Sequence, residues 1–511
     1  MTAAEPADSG PPPEVRAAAG RVLGMREGGV AVFRGIPYAQ PPVGALRFAG
    51  PAPVVGWSGV RDALGYGPPP PQGGHFGMDA LSPDPTDADW LTVNVWSPDP
   101  TPGAGLPVMV WIQGGGYEIG MSGLPEYDGT RLAREGGVVL VTLNYRVGIE
   151  GFALLEGVPA NRGLLDQVAA LEWVRDNIAA FGGDAARVTV FGQSAGGGSV
   201  AALLAMDRAA GLFHRAVVQS MPGTFFSPEL AADIAAACAA ELGLRPTAAH
   251  LVGISPQRLS AAGDAVSATM ERRASRWGRP AHRRIPFSPV VDGEVLAATP
   301  WQALDDGGAR DVELLVGHTR EEHRLFTVIS GLLGAVDEEQ AASALEVFAP
   351  GPDGADRYRA ANPGAGPEEL YELVHSDWLF RMPSLLLAEA QTSGGGRAHA
   401  YELTWPAPGM GGAFGACHGL DVPLVFGNLD RGQPAMLIGD PPPPEAEAVS
   451  AAMRAAWISF AAHGDPGWPV YDRDRRLVQR FDSLPGVAAD PERASRLIWQ
   501  DHGFPALPLI G

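Results

Sequence analysis

The sequence predicts an α/β fold, a large and mostly parallel sheet flanked by helices, on three observations. Leu106–Ile112 (LPVMVWI) and Val138–Asn144 (VVLVTLN) are continuous apolar runs, as strands covered on both faces require. Between Asn161 and Ala180, the apolar residues Leu164, Val168, Leu171, Val174 and Ile178 recur at helical spacing. Val188–Ser199 (VTVFGQSAGGGS) passes from a β-branched run through a glycine into an Ala/Gly-rich stretch, which reads as strand, tight turn and helix. Strands that alternate with helices imply parallel neighbours joined by right-handed crossovers.

Residues 1–13 are small, polar and proline-rich and are expected to be disordered, leaving 14–511 as a single domain. From Val22, short alternating runs such as Val30-Ala31-Val32-Phe33 read as antiparallel strands, and a Pro/Gly-rich surface stretch follows through Pro71. Thr92–Trp96 is a further strand, Gly182-Gly183 ends the helix, and Arg215–Gln219 follows as a strand. Ala-rich helical stretches near 225–285 and 330–395 interrupt the rhythm and read as insertions over the end of the sheet where a pocket forms. Strands return at Glu313–Val316 and His399–Leu403, and the amphipathic stretch Glu445–His463 should pack back on the sheet.

The chain of 511 residues carries 58 acidic and 37 basic side chains, a net charge of −21, and contains no lysine. Nucleic acid and anionic membrane surfaces are poor partners for such a surface. Cys238 and Cys417 are far apart and fall in no metal-binding spacing, so neither a disulfide framework nor a metal site is expected. The N-terminus lacks the basic start and apolar core of a secretory signal, and no apolar run of about 18 residues is present to span a bilayer. The expectation is a cytoplasmic protein, with secretion of a processed form left open.

Gly192-Gln193-Ser194-Ala195-Gly196 matches G-x-S-x-G, in which a serine sits on a strained strand-to-helix turn with its hydroxyl projecting clear of the sheet. A serine at its ordinary pKa is a weak nucleophile and needs a base, and the base needs an orienting acid. Of the 11 histidines, His418 in GACHGLD lies ahead of the apolar run Val422–Phe426, which places it on a loop at a sheet edge. Past strand Glu313–Val316, the turn GHTREEH offers two carboxylates, Glu321 and Glu322. Gln113-Gly114-Gly115-Gly116 follows a buried strand, where backbone N–H groups, with that of Ala195, could converge on an oxyanion.

These fragments, in this order, resemble the type-B carboxylesterase family, which includes bacterial para-nitrobenzyl esterases and the cholinesterases. The landmarks are FRGIPYA (33–39), DWLTVNVW (89–96), WIQGGGY (111–117), NYRVG (144–148), FGGD (181–184), FGQSAGG (191–197) and HGDP (463–466). They run over nearly the whole length from about Val22.

The resemblance implies an α/β-hydrolase fold and a serine carboxylesterase acting through an acyl-enzyme. Its triad falls on Ser194, Glu322 and His418, its oxyanion donors on the N–H groups of Gly115, Gly116 and Ala195, and a serine supporting the acid on Ser220. It implies no cofactor and no metal, a small-molecule ester as partner, and a monomer or homodimer. The same triad would serve a carbamate or amide hydrolase, and the family also holds non-catalytic binding relatives.

Four positions depart from the family pattern. Gln113 stands where histidine is usual before the oxyanion glycines, altering a side-chain contribution to that loop. Gln193 stands where glutamate is usual before the nucleophile, which removes a negative charge beside the histidine and should disfavour quaternary-ammonium substrates. His323 replaces the glycine that usually follows the acid, so the acid's loop is expected to differ. Trp90 replaces the cysteine of the family's first disulfide. Phe326, Trp378 and Phe380 are candidates for an apolar wall of the substrate pocket, with ordinary core packing as the other role open to each.

Overall fold

Alternation along the central strands sends successive side chains to opposite faces of one sheet, and both faces are covered. Val108, Val110 and Ile112 enter one apolar cluster while Met109 and Trp111 enter the other, and Val139, Val141 and Leu143 are divided in the same way from Val138 and Leu140. The computed structural model describes residues 10–74, 89–432 and 435–511. Among these, the strands in chain order are β1 (Glu14–Ala17), β2 (Gly20–Leu23), β3 (Met25–Glu27), β4 (Val30–Pro37), β5 (Val60–Asp62), β6 (Thr92–Ser97) and β7 (Leu106–Ile112). There follow β8 (Val139–Leu143), β9 (Gly183–Gln193), β10 (Arg215–Gln219), β11 (Glu313–Thr319), β12 (Ala398–Leu403), β13 (Leu477–Phe481) and β14 (Gly486–Ala489).

The main sheet has the order β14-β13-β12-β11-β10-β9-β7-β8-β6-β4-β3, and β1, β2 and β5 form a small second sheet. From β13 to β8 every neighbouring pair is parallel, whereas β14 at one end and β6, β4 and β3 at the other pair antiparallel. The expected parallel sheet is thus present as the centre of a larger mixed one. Helix Arg162–Asn177 fills the predicted crossover, and Gly182, at φ 85°, closes the one-turn extension behind it. Helix Pro444–His463 lies against β7 and β9.

Some expectations need correction. The apolar run after His418 is a helix, Asp421–Phe426, because Pro423 fits a first helical turn and Gly427, at φ 79°, ends it. His418 therefore sits on a loop that precedes a helix, beside the residues that follow β11, where its N–H donates to the Glu322 carbonyl at 3.4 Å. Residues 1–9 of the segment expected to be disordered lie outside the described residues, while Pro13 at its far end is buried and its carbonyl accepts the Gly24 N–H at 2.9 Å.

The carboxyl ends of the central strands converge in register. Ile112 of β7 lies opposite Gly192, Gln193 opposite Gln219 of β10, and Gln219 opposite Gly317 of β11. In open α/β sheets this edge is where ligands bind. A buried ion pair braces it from one side, since Arg146 donates from its backbone N–H, Nε and Nη2 to Asp166 at 3.0, 2.8 and 2.7 Å. Both side chains are essentially inaccessible, at 1% and 0%. The preceding residue, Tyr145, donates its hydroxyl to the Gln113 carbonyl at 2.7 Å, fixing the start of the glycine loop. Replacing Asp166 by alanine leaves the buried guanidinium without its counter-charge and should lower the unfolding free energy by about 3–5 kcal/mol in urea denaturation.

Candidate active site

Ser194 is the residue between β9 and helix Ala195–Leu204, and its backbone is forced to φ 57°, ψ −128°. A non-glycine residue there is strained and persists only where its surroundings hold it. Here the Ser194 N–H donates to the Gln219 carbonyl at 3.0 Å, and the Ser194 carbonyl accepts from Gly198 N–H at 2.8 Å. A Cβ on Gly196 would lie 2.0 Å from the Ile112 carbonyl oxygen, and one on Gly192 would lie 2.6 Å from Gly196 backbone. The glycines are required by approach to backbone, which cannot move aside as a side chain could. Ser194 stays partly accessible while its chain neighbours on both sides are buried.

The glycine loop packs directly on this turn, for a Cβ on Gly114 would sit 2.8 Å from the Gln193 carbonyl and 3.1 Å from Ser194 Cβ. Gly115 and Gly116 take φ of 115° and 63°, and the Gly115 carbonyl accepts from the N–H groups of Glu118 and Ile119 at 3.0 Å each. The N–H groups of Gly115 and Gly116 donate to no acceptor among the described residues. Ala195 opens its helix, so its N–H has no partner within it. Gln113 is fully buried, with neither amide atom of its side chain hydrogen-bonded among the described residues.

His418 and Glu322 meet, the Nδ1–H donating to Oε2 at 2.5 Å. The other carboxylate oxygen accepts the Thr319 N–H at 2.8 Å, and Ser220, itself at φ 48°, lies beside the carboxylate. Burial alone would raise the Glu322 pKa; the charge and hydrogen bond of His418, with Ser220 and Thr319, outweigh it and hold the group below its ordinary value. Glu321 faces elsewhere: its side chain accepts the Ala416 N–H at 2.9 Å and pairs with Arg324 at 3.2 Å. The two carboxylates left open by the turn are thereby distinguished.

His323 does not disturb this turn. Its backbone, at φ −76°, needs no glycine, and its N–H donates to Glu372 Oε1 and Ser376 Oγ at 3.0 and 2.9 Å. Its ring stacks on His375 at 4.3 Å. Of the three wall candidates, Phe380 stacks on the His418 ring at 4.1 Å, Phe326 lies 5.6 Å from it, and Trp378 packs instead on Phe348. Trp90 is buried, and Cys238 and Cys417 are both free.

The Gln193 amide nitrogen lies 3.2 Å from His418 Nε2. An amide nitrogen only donates, so this contact leaves Nε2 as the acceptor and keeps the ring proton on Nδ1, facing Glu322. Gln193 is the residue before Ser194, so the contact brings the histidine to the nucleophile's turn. Two residues were not anticipated. Gln219 carries the carbonyl that pins Ser194, and Asp421, fully buried, accepts its side-chain amide at 2.8 Å. The one available signal for Asp421 was a lone carboxylate three positions after His418, at the head of an apolar run. No group of three or more His, Cys, Asp or Glu among the described residues is placed to hold a metal, and no described helix is long and apolar enough to cross a membrane.

Residues 11–350 match the model of the carboxylesterase family. The para-nitrobenzyl esterase of Bacillus subtilis (strain 168) is 38% identical over 494 residues, covering 93% of this chain and 96% of its own. The liver carboxylesterase of Sus scrofa is 32% identical over 545 residues, covering 96% and 92%. The crystal structure of the Geobacillus stearothermophilus carboxylesterase EST55 at pH 6.2 superposes with a TM-score of 0.83 at 35% identity, covering 95% of this chain and 100% of that one. Matches of that length and identity, on a sheet whose strand ends gather a strained serine, a histidine and a buried glutamate, make this chain a member of the carboxylesterase family with the α/β-hydrolase fold, a serine hydrolase of carboxylic esters.

Proposed function

We propose that ester hydrolysis in this protein runs through Ser194, His418 and Glu322. His418 Nε2 takes the hydroxyl proton as Ser194 Oγ attacks the ester carbonyl, and Glu322 holds the Nδ1 proton and offsets the imidazolium charge. The N–H groups of Gly115, Gly116 and Ala195 hold the oxyanion, the last of them reinforced by the positive end of its helix. The alcohol leaves with the proton from His418, and water attacks the acyl-enzyme by the same route in reverse roles. The observation that carries this reading is the 2.5 Å Glu322–His418 contact set beside a serine at φ 57°.

Gln193 is a neutral neighbour of His418 that gives up its contact with Nε2 when the Ser194 hydroxyl takes its place, Ser220 supports the Glu322 carboxylate, and Gln113 anchors the glycine loop through its carbonyl. Residues 14–511 act as one hydrolase domain, in which the 330–395 insertion covers the site by bringing Phe380 onto His418, and the 225–285 insertion adds Arg283 over Phe326 at 5.6 Å. The substrate is a small, uncharged ester, in keeping with a neutral glutamine beside the histidine. The net charge of −21 disfavours nucleic-acid and anionic-membrane partners, and we place the protein in the cytoplasm as a monomer or homodimer.

Replacing Ser194 by alanine should lower kcat/KM for a para-nitrophenyl acyl ester by about 10⁴-fold or more and abolish labelling by a fluorophosphonate. A variant as fast as the parent would overturn the assignment. Because the folded-state pKa of Glu322 lies below the ordinary 4.5, its contribution to stability is complete above that value and is lost as pH falls through the lowered one. The Tm difference between the parent and Glu322→Gln should therefore be widest near neutral pH and narrow on acidification below 4.5 in thermal melts.

A further inference from the structure

The assigned triad leaves one buried carboxylate beside it without a role. Asp421 is inaccessible to solvent, and a single oxygen, Oδ2, accepts both the Gln219 Nε2–H at 2.8 Å and the Tyr401 hydroxyl at 3.0 Å. Gln219 is held in turn by Trp457, whose indole N–H donates to its Oε1 at 3.0 Å. The same Gln219 supplies the carbonyl that pins the Ser194 N–H, and its neighbour Ser220 lies beside Glu322. Asp421 begins the helix that follows His418. One short hydrogen-bond network thus ties the nucleophile's turn to the histidine's helix.

Its chemistry goes beyond tethering. A neutral amide would satisfy the Gln219 and Tyr401 donors equally well, yet the position holds an ionisable group where burial penalises charge. The ionisable groups facing it are Glu322, His418 and Cys417 from the two loops and Tyr401 from β12. Helix Pro444–His463, packed on the Asp421–Phe426 helix, contributes the neutral Trp457 through Gln219, while its Arg454 turns to Glu135 and Ser450. Helix Thr130–Gly136 also packs on the Asp421–Phe426 helix, but its Arg131 turns to the Gly427 carbonyl, Glu135 and Glu447. Among the groups that act on the Asp421 carboxylate, the one able to carry positive charge is His418, three residues before it in the chain, and Gln193, which contacts that ring, is neutral.

We propose, resting on the triad reading above, that Asp421 is a positioning residue for His418: a second buried carboxylate that stabilises the imidazolium during acyl transfer and fixes the histidine's helix to the Ser194 turn. Burial, then repulsion from Glu322, pushes its carboxyl up to about 6 against the pull of Gln219, Tyr401 and His418, so its charge is present at neutral pH and lost on mild acidification.

The test compares pH profiles of kcat and kcat/KM for the parent, Asp421→Asn and Tyr401→Phe on a neutral para-nitrophenyl ester. Asparagine keeps an acceptor for both donors and removes only the charge. At neutral pH its kcat should fall about tenfold with KM within about twofold, and the acid limb of kcat/KM should move to lower pH, because an imidazolium that has lost an anion releases its proton more readily. Tyr401→Phe keeps the charge but removes a donor that favours it, so the decline of kcat on acidification should begin at higher pH than in the parent. A parent-like kcat and acid limb in Asp421→Asn, or a Tyr401→Phe profile that superposes on the parent, would overturn the inference. Ser194→Ala tests the triad reading separately, so loss of activity there with an unmoved profile here would reject Asp421 alone.

Discussion

The site depends on how closely β7 and β9 approach at their carboxyl ends. Gly196 passes so near the Ile112 carbonyl that no side chain fits between them, and Gly114 lies on the Ser194 turn with equally little room. That contact fixes the serine in a conformation it would not adopt alone, and it seats the glycine loop against the same turn. Strain at Ser194 is sustained by two backbone hydrogen bonds and by the surrounding sheet, a distribution typical of residues held out of the preferred φ/ψ regions for function. The glycine loop and the Ser194 turn are thereby parts of one rigid edge.

Charge is distributed economically around that edge. Glu322 is fully buried but compensated by His418, Ser220 and Thr319, so it remains ionised where an isolated carboxyl would not. Gln193 and Gln113 place neutral amides where a charged or titratable group would compete for the histidine or the glycine loop. Asp421 is the exception, a carboxyl raised toward neutrality by the low polarity around it. Two buried acids are thus displaced in opposite directions by what surrounds each of them.

Much of this was legible from residues alone, and the reasons are local. The strand-turn-helix at Ser194 announces itself because a glycine on each side of a serine, between a β-branched run and an Ala/Gly-rich one, satisfies a backbone requirement that few other arrangements share. The central strands are equally plain, since burial on both faces demands unbroken apolar runs. The choice between Glu321 and Glu322 was not available locally: adjacent carboxylates look alike until the turn's geometry sends one to His418 and the other to Ala416 and Arg324. Val422–Phe426 is ambiguous in the sequence because a short apolar run suits a buried helix as well as a strand, and only Pro423 and Gly427 hint at the former. The placements of Phe380 and Asp421 arise from contacts across more than thirty and two hundred positions respectively, with His418 and Gln219, which no window of sequence spans.

The stacking of Phe380 on His418 couples two properties that are commonly engineered apart. Phe380 belongs to the segment proposed as an insertion, the natural target for anyone wishing to reshape acyl or alcohol preference, yet its ring lies directly on His418, the proposed general base. Grafting that segment from a relative would change turnover along with selectivity, whereas varying the insertion around a retained aromatic at 380 would let the catalyst be diversified without unseating its proton carrier.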